Sequence, residues 1–235
     1  METSITYGRV VDLTHPIRPD IPRWPGDPPV EFEPVASIGK DGYRLRRFSM
    51  GEHSGTHLST PSAFWHDGVG PAQIRLESLV SAAVVIDVSD LTMRDPDYAL
   101  SVDSVKEWER RNGEVPSGCI VLLFTGWERY WDQTERFINA DAGGTMHFPG
   151  FGMDAARFLL ERRGVSGLGI DTHGIDPGAD TDLSVSRFAL GKNALVLECL
   201  NNLGTLAPNG ATVVVGRLPL VGGSGSPASV LALVP

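Results

Sequence analysis

Residues 52–63 read Glu52-His53-Ser54-Gly55-Thr56-His57-Leu58-Ser59-Thr60-Pro61-Ser62-Ala63. Two histidines four apart enclose Gly55 and Thr56, and a glycine there lets the backbone turn tightly enough for both rings to converge on one point. Neutral imidazoles are good ligands for zinc and other first-row ions. A catalytic zinc site, however, takes three protein ligands and a water. The stretch alone therefore leaves two readings open: a metal site that needs a distant third ligand, or loop histidines that only make hydrogen bonds.

Outward from this loop, short apolar runs alternate with turns. Tyr43–Met50 alternates basic or polar with apolar residues and reads as a half-exposed strand leading into the histidine loop. Arg9–Leu13 reads as a first strand, Ala82–Val88 and Cys119–Phe124 as buried strands, and Leu168–Ile170, Leu195–Leu197, Thr212–Val215 and Val230–Val234 as the rest of a sheet. Val102–Arg111 is expected to be a helix capped by Ser101 and closed at Asn112-Gly113, and Asp154–Arg163 a second one stopped by Gly164. Strands outnumber helices, and they do not alternate strictly. The expected fold class is α/β: a single domain over 1–235 with a mixed β-sheet core and flanking helices. The 27 glycines and 17 prolines are scattered through turn-like positions, which suits many short strands better than a helical bundle.

The chain has 235 residues, enough for one large domain. Apolar residues make up 41% and charged residues 21%, as in a soluble globular protein. A net charge of -9 argues against nucleic acid and anionic membranes as partners and leaves a small molecule as the expected one. No apolar run approaches the length of a membrane span. The start METSITYGRVVDLTHPIRPD lacks the basic and apolar regions of a secretory signal, so a cytoplasmic location is expected. Cys119 and Cys199 sit among apolar residues and read as buried free thiols.

The loop resembles the motif H-x-G-T-H-x-D-x-P-x-H of the cyclase superfamily, which includes bacterial kynurenine formamidases. This chain supplies His53, Gly55, Thr56, His57 and Pro61. Further blocks resemble the family in the same order: Val11-Asp12-Leu13-Thr14-His15, Trp24-Pro25-Gly26-Asp27, Thr125-Gly126-Trp127, Phe148-Pro149-Gly150, Gly169-Ile170-Asp171-Thr172, Glu198-Cys199-Leu200-Asn201-Asn202-Leu203 and Gly225-Ser226-Pro227. The resemblance covers nearly the whole chain. It implies a swivelling β/β/α-like domain, a homo-oligomer (dimer or tetramer), and His53, His57 and Glu198 as catalytic and metal-binding groups. It also implies a substrate contact at Trp24.

Three positions depart from the family pattern. Ser59 stands where the motif has Asp, Ala63 where it has His, and Ser186 where the family has a downstream His before an apolar-Leu-Gly turn. Two divalent ions repel each other and need an anionic bridge; a serine hydroxyl is neutral, so a dinuclear centre is not expected. Two outcomes stay open. One is a single divalent ion, Zn or Mn, on His53, His57 and Glu198, serving a hydrolase of an amide, formamide or lactone. The other is no metal at all, with the two bases and the carboxylate performing an acid/base step such as an intramolecular cyclisation of a carbonyl compound in secondary metabolism. The second is the leading expectation, and a non-catalytic ligand-binding pseudoenzyme is a third reading. Ser59, Ala63, Phe64 and Ser186 are expected to line the substrate pocket with Trp24, which the lost ligands leave roomier and less polar.

Other candidates carry weaker signals. His66 could replace the proton shuttle missing at Ala63, but beside Asp67-Gly68 it reads better as a loop residue. Of Phe64, Trp65, Trp127 and Trp131, one or two are expected at the pocket and the rest in the core. His15 and His147 read as structural, His173 as a weak pocket candidate, and Asp171 as a residue that fixes loops or a histidine. Cys199 is expected to point away from Glu198. No Gly-x-Ser-x-Gly elbow surrounds Ser59 or Thr60.

Overall fold

The computed structural model describes residues 4–235. Residues 1–3, the start of the stretch in which no secretory signal is expected, lie outside the described residues. The strands are β1 (Arg9–Asp12), β2 (Glu31–Ala36), β3 (Leu45–Ser49), β4 (His57–Ser59), β5 (Val80–Asp87), β6 (Ala99–Leu100), β7 (Ile120–Phe124), β8 (Gly150–Phe151), β9 (Gly167–Ile170), β10 (Leu195–Glu198), β11 (Ala211–Arg217) and β12 (Gly225–Val234). An eight-stranded mixed sheet runs β1-β12-β11-β5-β7-β9-β10-β4. The additional pairing of β12 with β4 curls this sheet into a closed ring from which only β1 stands outside. Strands β5, β7, β9 and β10 are parallel, whereas β4, β11 and β12 join antiparallel.

The continuous apolar runs of β5 and β7 follow from this closure. Ala83, Val85, Ile120 and Leu122 point into the ring and pack with Leu58, Leu197, Val213 and Val230. Their neighbours Val84, Ile86, Val121 and Leu123 point outward beneath the helices, against Trp108, Leu159 and Val196. A parallel strand covered on both faces has no polar side to show in its sequence. The helix Val102–Asn112 is capped by the Ser101 side chain, which accepts from the Ser104 amide, and it buries Val105 and Trp108. The second helix starts at Met153 and opens into a π-type segment over Phe158–Arg163, ending at left-handed Gly164. Several short elements escaped the sequence reading, among them β4, which lies inside the expected histidine loop, and two more that frame the sheet. Glu31–Ala36 pairs with the predicted β3 as a two-stranded ribbon apart from the sheet, and Ser184–Gly191 forms a helix at the ring's edge. Among the described residues no helix is long and apolar enough to cross a membrane.

His15, just beyond β1, shows how tightly the loops cover one end of the ring. It is buried and stacks on Trp131 with ring centroids 3.9 Å apart, and its backbone amide donates to Thr56 Oγ1. Burial pulls its pKa from 6.5 down to about 4. Between those two values the unfolded chain takes up a proton that the folded chain refuses. The stability is therefore complete above about pH 6.5 and falls as the pH drops towards 4. Denaturant unfolding at pH 7.5 and 4.5 is expected to show this decline. In His15→Phe, which keeps the stack but cannot titrate, the decline should be smaller by roughly 2 kcal/mol. An equal decline in both proteins would contradict the assignment.

Candidate active site

Strand register brings the predicted residues together. In the antiparallel pair β4–β10, Glu198 lies directly opposite His57, and on the other flank of β4 His57 faces Pro227 and Ser59 faces Gly225. Ser59 Oγ donates to Glu198 Oε1 at 2.8 Å across 139 residues of sequence, and His57 Nε2 lies 3.3 Å from Glu198 Oε2. The His53 ring stands edge-on to His57, with centroids 5.2 Å apart and planes at 87°. Gly55 takes φ +67 between them, the left-handed turn that its lack of a side chain makes easy. These groups open on a cavity of about 240 Å³ that Trp24, Ala63, Phe64 and Ser186 also line.

The electrostatics turn on His57 and Glu198. His57 Nδ1 is 2.9 Å from the Gly55 carbonyl, which can only accept, so Nδ1 carries a proton. Nε2 is buried and faces Glu198 as a close ionic contact without hydrogen-bond alignment. Burial works to discharge both groups. Their mutual attraction outweighs it, raising the His57 pKa and holding Glu198 below the usual carboxylate range. His53 goes the other way: burial, followed by the neighbouring His57 charge, lowers its pKa. Position 57 therefore attracts a positive charge between an imidazole nitrogen and a carboxylate, whereas His53 stays neutral.

The three departures have structural consequences. Ser59 supplies a hydroxyl shared between Glu198 and His53 Nδ1, the latter 3.2 Å away. Ala63 puts a methyl group on the cavity wall. Ser186 donates its hydroxyl to Asp176, whose buried carboxyl, raised to about 6 by desolvation, also accepts the amides of Val185 and Ser186. The Ser186 proton is thus committed, and its oxygen keeps only acceptor capacity.

His66 is exposed and outside the cavity, so it does not stand in for the imidazole missing at Ala63. Trp127 and Trp131 belong to a buried cluster with Phe137 and Phe148, and Trp65 is exposed, which leaves Phe64 and Trp24 as the aromatics at the cavity. His147 makes a surface ion pair with Asp97 at 2.9 Å. Asp171 ties down a loop by accepting from the Thr125 amide and hydroxyl and the Glu128 amide. Cys199 does not line the cavity, and burial pushes its thiol far up. His173 was undervalued. It lines the cavity, packs edge-on against Trp24 at 5.9 Å, and is held neutral by burial, then by the His57 charge, with a pKa of about 4. The signal that points to it is its place just past β9, next to the strand that ends at Glu198, since open ends of parallel strands gather ligand-binding loops.

Among the described residues, no three His, Cys, Asp or Glu side chains already stand in a metal-holding arrangement. The donor chemistry nonetheless fits one divalent ion. His57 Nε2 has no hydrogen-bond partner, while its other nitrogen is anchored on a backbone carbonyl, the usual backing of a metal-ligating histidine. His53 and the Glu198 carboxylate supply the remaining donors. The neutral Ser59 and the committed Ser186 add no charge with which to hold a second ion.

The family model described as "Putative cyclase" matches residues 11–177. An isatin hydrolase from Roseibium aggregatum is 32% identical over 244 residues, covering 96% of this chain and 92% of its own. A kynurenine formamidase from Bacillus mycoides is 26% identical over 189 residues, with 80% of each chain covered. Among solved structures, isatin hydrolase A from Ralstonia solanacearum superposes with a TM-score of 0.92 at 34% identity, covering 97% of this chain and 92% of that one. A structure described as a potential metal-dependent hydrolase with cyclase activity shares the fold, with a TM-score of 0.71 at 23% identity and coverage of 95% and 96%. The chain belongs to the cyclase family and is an enzyme of its cyclase and hydrolase type.

Proposed function

We propose that this enzyme hydrolyses the amide bond of a small aromatic amide, a ring amide in the first instance, with a single divalent ion held by His53, His57 and Glu198. The observation that carries the reading is His57 Nε2, without an aligned hydrogen bond and 3.3 Å from the ionised Glu198, on a cavity wall. Hydrolysis takes precedence over intramolecular cyclisation because the relatives named above are hydrolases of isatin and kynurenine formamides.

When bound, the ion would polarise the scissile carbonyl and make water a stronger nucleophile near neutral pH. The chain's own residues then divide the remaining work. Trp24 and Phe64 offer apolar faces to an aromatic ring. Ser186, able only to accept, matches an amide N–H. Ala63 and Leu190 keep that end of the cavity apolar, which strengthens the polar contacts made inside it. Glu198, ionised and held by the Ser59 hydroxyl, supplies the negative charge of the donor set.

Turnover of isatin and of an aryl formamide, followed by absorbance with and without a chelator, tests the reading. Ring-amide hydrolysis is expected, lost on exhaustive chelation and restored by Mn or Zn. Glu198→Gln should lower kcat/KM by about a hundredfold or more. Full activity after chelation would transfer the same residues to a metal-free acid/base step. Failure to hydrolyse either amide would count against hydrolysis, and a ligand-binding protein would then be the reading to pursue. Ser186→Ala should raise KM roughly 3- to 10-fold with little change in kcat, the signature of a lost ground-state hydrogen bond; a fall in kcat alone would assign Ser186 another role.

A further inference from the structure

Asp176 is a buried carboxylate to which the hydrolysis described above gives no task. It lies in the loop after β9, three residues past His173, and the backbone on both sides of it is pinned to the segment around β8. The Phe151 amide donates to the Ile175 carbonyl at 2.8 Å, and the Gly178 amide to the Phe148 carbonyl at 2.8 Å. A Cβ on Gly150 would come within 2.6 Å of the Asp176 carbonyl oxygen, so only a glycine lets β8 press this close.

The carboxyl group is held as firmly as its backbone. Its Oδ1 accepts from the Val185 amide at 2.6 Å. The Ser186 amide is shared between the two oxygens, at 3.1 Å from Oδ1 and 3.2 Å from Oδ2, and Oδ2 takes the Ser186 hydroxyl. Asp180 accepts the Ser184 amide at 3.3 Å, so the first three amides of the helix Ser184–Gly191 are spent and leave none for an anion. Of these groups only Ser186 also lines the cavity.

A hydroxyl has one hydrogen. A hydroxyl free to turn accepts from a ligand donor or donates to a ligand acceptor, and so does not tell a ring N–H from a ring oxygen. With its hydrogen fixed on a buried carboxylate, Ser186 offers a lone pair and nothing else. A ligand N–H is matched by it, whereas a ligand oxygen in the same place meets lone pair with lone pair. Sites of this kind reject an isostere that lacks the donor. The nearby cavity residues Ala63 and Leu190 supply no alternative partner.

We infer that Asp176 is a positioning residue that determines specificity: by holding the Ser186 hydroxyl hydrogen, it makes the cavity select ligands with an unsubstituted ring N–H over isosteres with oxygen at that place. Asp176 touches no ligand and acts through Ser186. The preferred substrate class, ring amides with a free N–H over ring esters, rests on the hydrolytic reading above; the polarity of Ser186 does not.

Asp176→Asn keeps the side-chain size and inverts that polarity. The amide oxygen of the new side chain is drawn to the Val185 and Ser186 amides at the Oδ1 place, which turns its NH2 group towards Ser186 Oγ. Ser186 then accepts from within the protein, and its own hydrogen is released to the cavity. The experiment uses the full chain at pH 8, where Asp176, with its carboxyl raised to about 6, is ionised. The probes are oxindole and 2-coumaranone, which share a shape and differ in a ring N–H against a ring oxygen. Dissociation constants are read by stopped-flow tryptophan fluorescence before any turnover, since Trp24 stands on the cavity wall.

Wild type should bind oxindole about 10-fold more tightly than 2-coumaranone. In Asp176→Asn the ratio should fall to about 1 or reverse, with oxindole weakened and 2-coumaranone strengthened. Ser186→Ala should also bring the ratio near 1, and adding Asp176→Asn to it should change the ratio no further, because both act through one hydroxyl. Should Asp176→Asn not fold, wild type and Ser186→Ala decide, since a hydroxyl free to turn gives a wild-type ratio near 1. A wild-type ratio near 1, an Asp176→Asn protein that loses both probes equally, or binding of neither probe overturns the inference. Ratios as expected in a protein that hydrolyses neither isatin nor an aryl formamide uphold the inference and remove the hydrolytic reading instead.

Discussion

Across the β4–β10 pair, the backbone hydrogen bonds that hold two strands in register also set an imidazole opposite a carboxylate in the interior. That pairing is costly to separate. Removing either partner would leave a buried charge without its counterpart, and the rest of the site is arranged so that neither needs to be removed. The Gly55 carbonyl fixes one side of His57, the Ser59 hydroxyl occupies one oxygen of Glu198, and the apolar ring interior around Leu58 and Leu197 closes the side away from the cavity. A slip of β4 by one residue would turn His57 and Ser59 to the opposite face, away from Glu198 on β10, so the apolar residues of β4 and β10 guard the chemistry as well as the core.

Much of this was legible in the sequence, and the limits have physical causes. The buried runs at Ala82–Val88 and Cys119–Phe124 announced strands because parallel strands covered on both faces are apolar throughout. Ser101 and Gly164 marked helix ends through their capping chemistry. The ribbon strand at Glu31–Ala36 gave no such signal: four of its six residues are exposed and Pro34 interrupts it, so no face is buried consistently. The helix at Ser184–Gly191 is short and begins at left-handed Leu183, with Asp176 and Asp180 binding its first amides from outside the helix. A cap supplied by a distant residue leaves no local pattern. Closure of the ring was not readable either, because it depends on one three-residue strand pairing on both edges.

At the site, the motif with Glu198 named residues that the fold does gather around one cavity. His173 was harder to weigh because its relevance comes from the neighbouring strand, not from its own surroundings in sequence. The departures at Ser59, Ala63 and Ser186 look like simple losses when read along the chain. In three dimensions each has been given other work: Ser59 bridges Glu198 and His53, Ser186 is bound to Asp176, and Ala63 widens an apolar wall. The cavity has exchanged charge for shape, which favours a ligand recognised by an aromatic face and one or two hydrogen bonds.

The double edge of β4 also orders events during synthesis. One of its partners, β12, supplies Gly225 beside Ser59, and Ser224, just before that strand, backs His53. A ribosome that has made everything through β11 has produced every residue that faces the cavity, yet the barrel remains an open sheet and His53 has nothing to lean on. Until the final strand emerges and zips against β4, the nascent polypeptide exposes an unpaired edge and has no competent centre, so catalytic competence and protection from aggregation arrive in the same step.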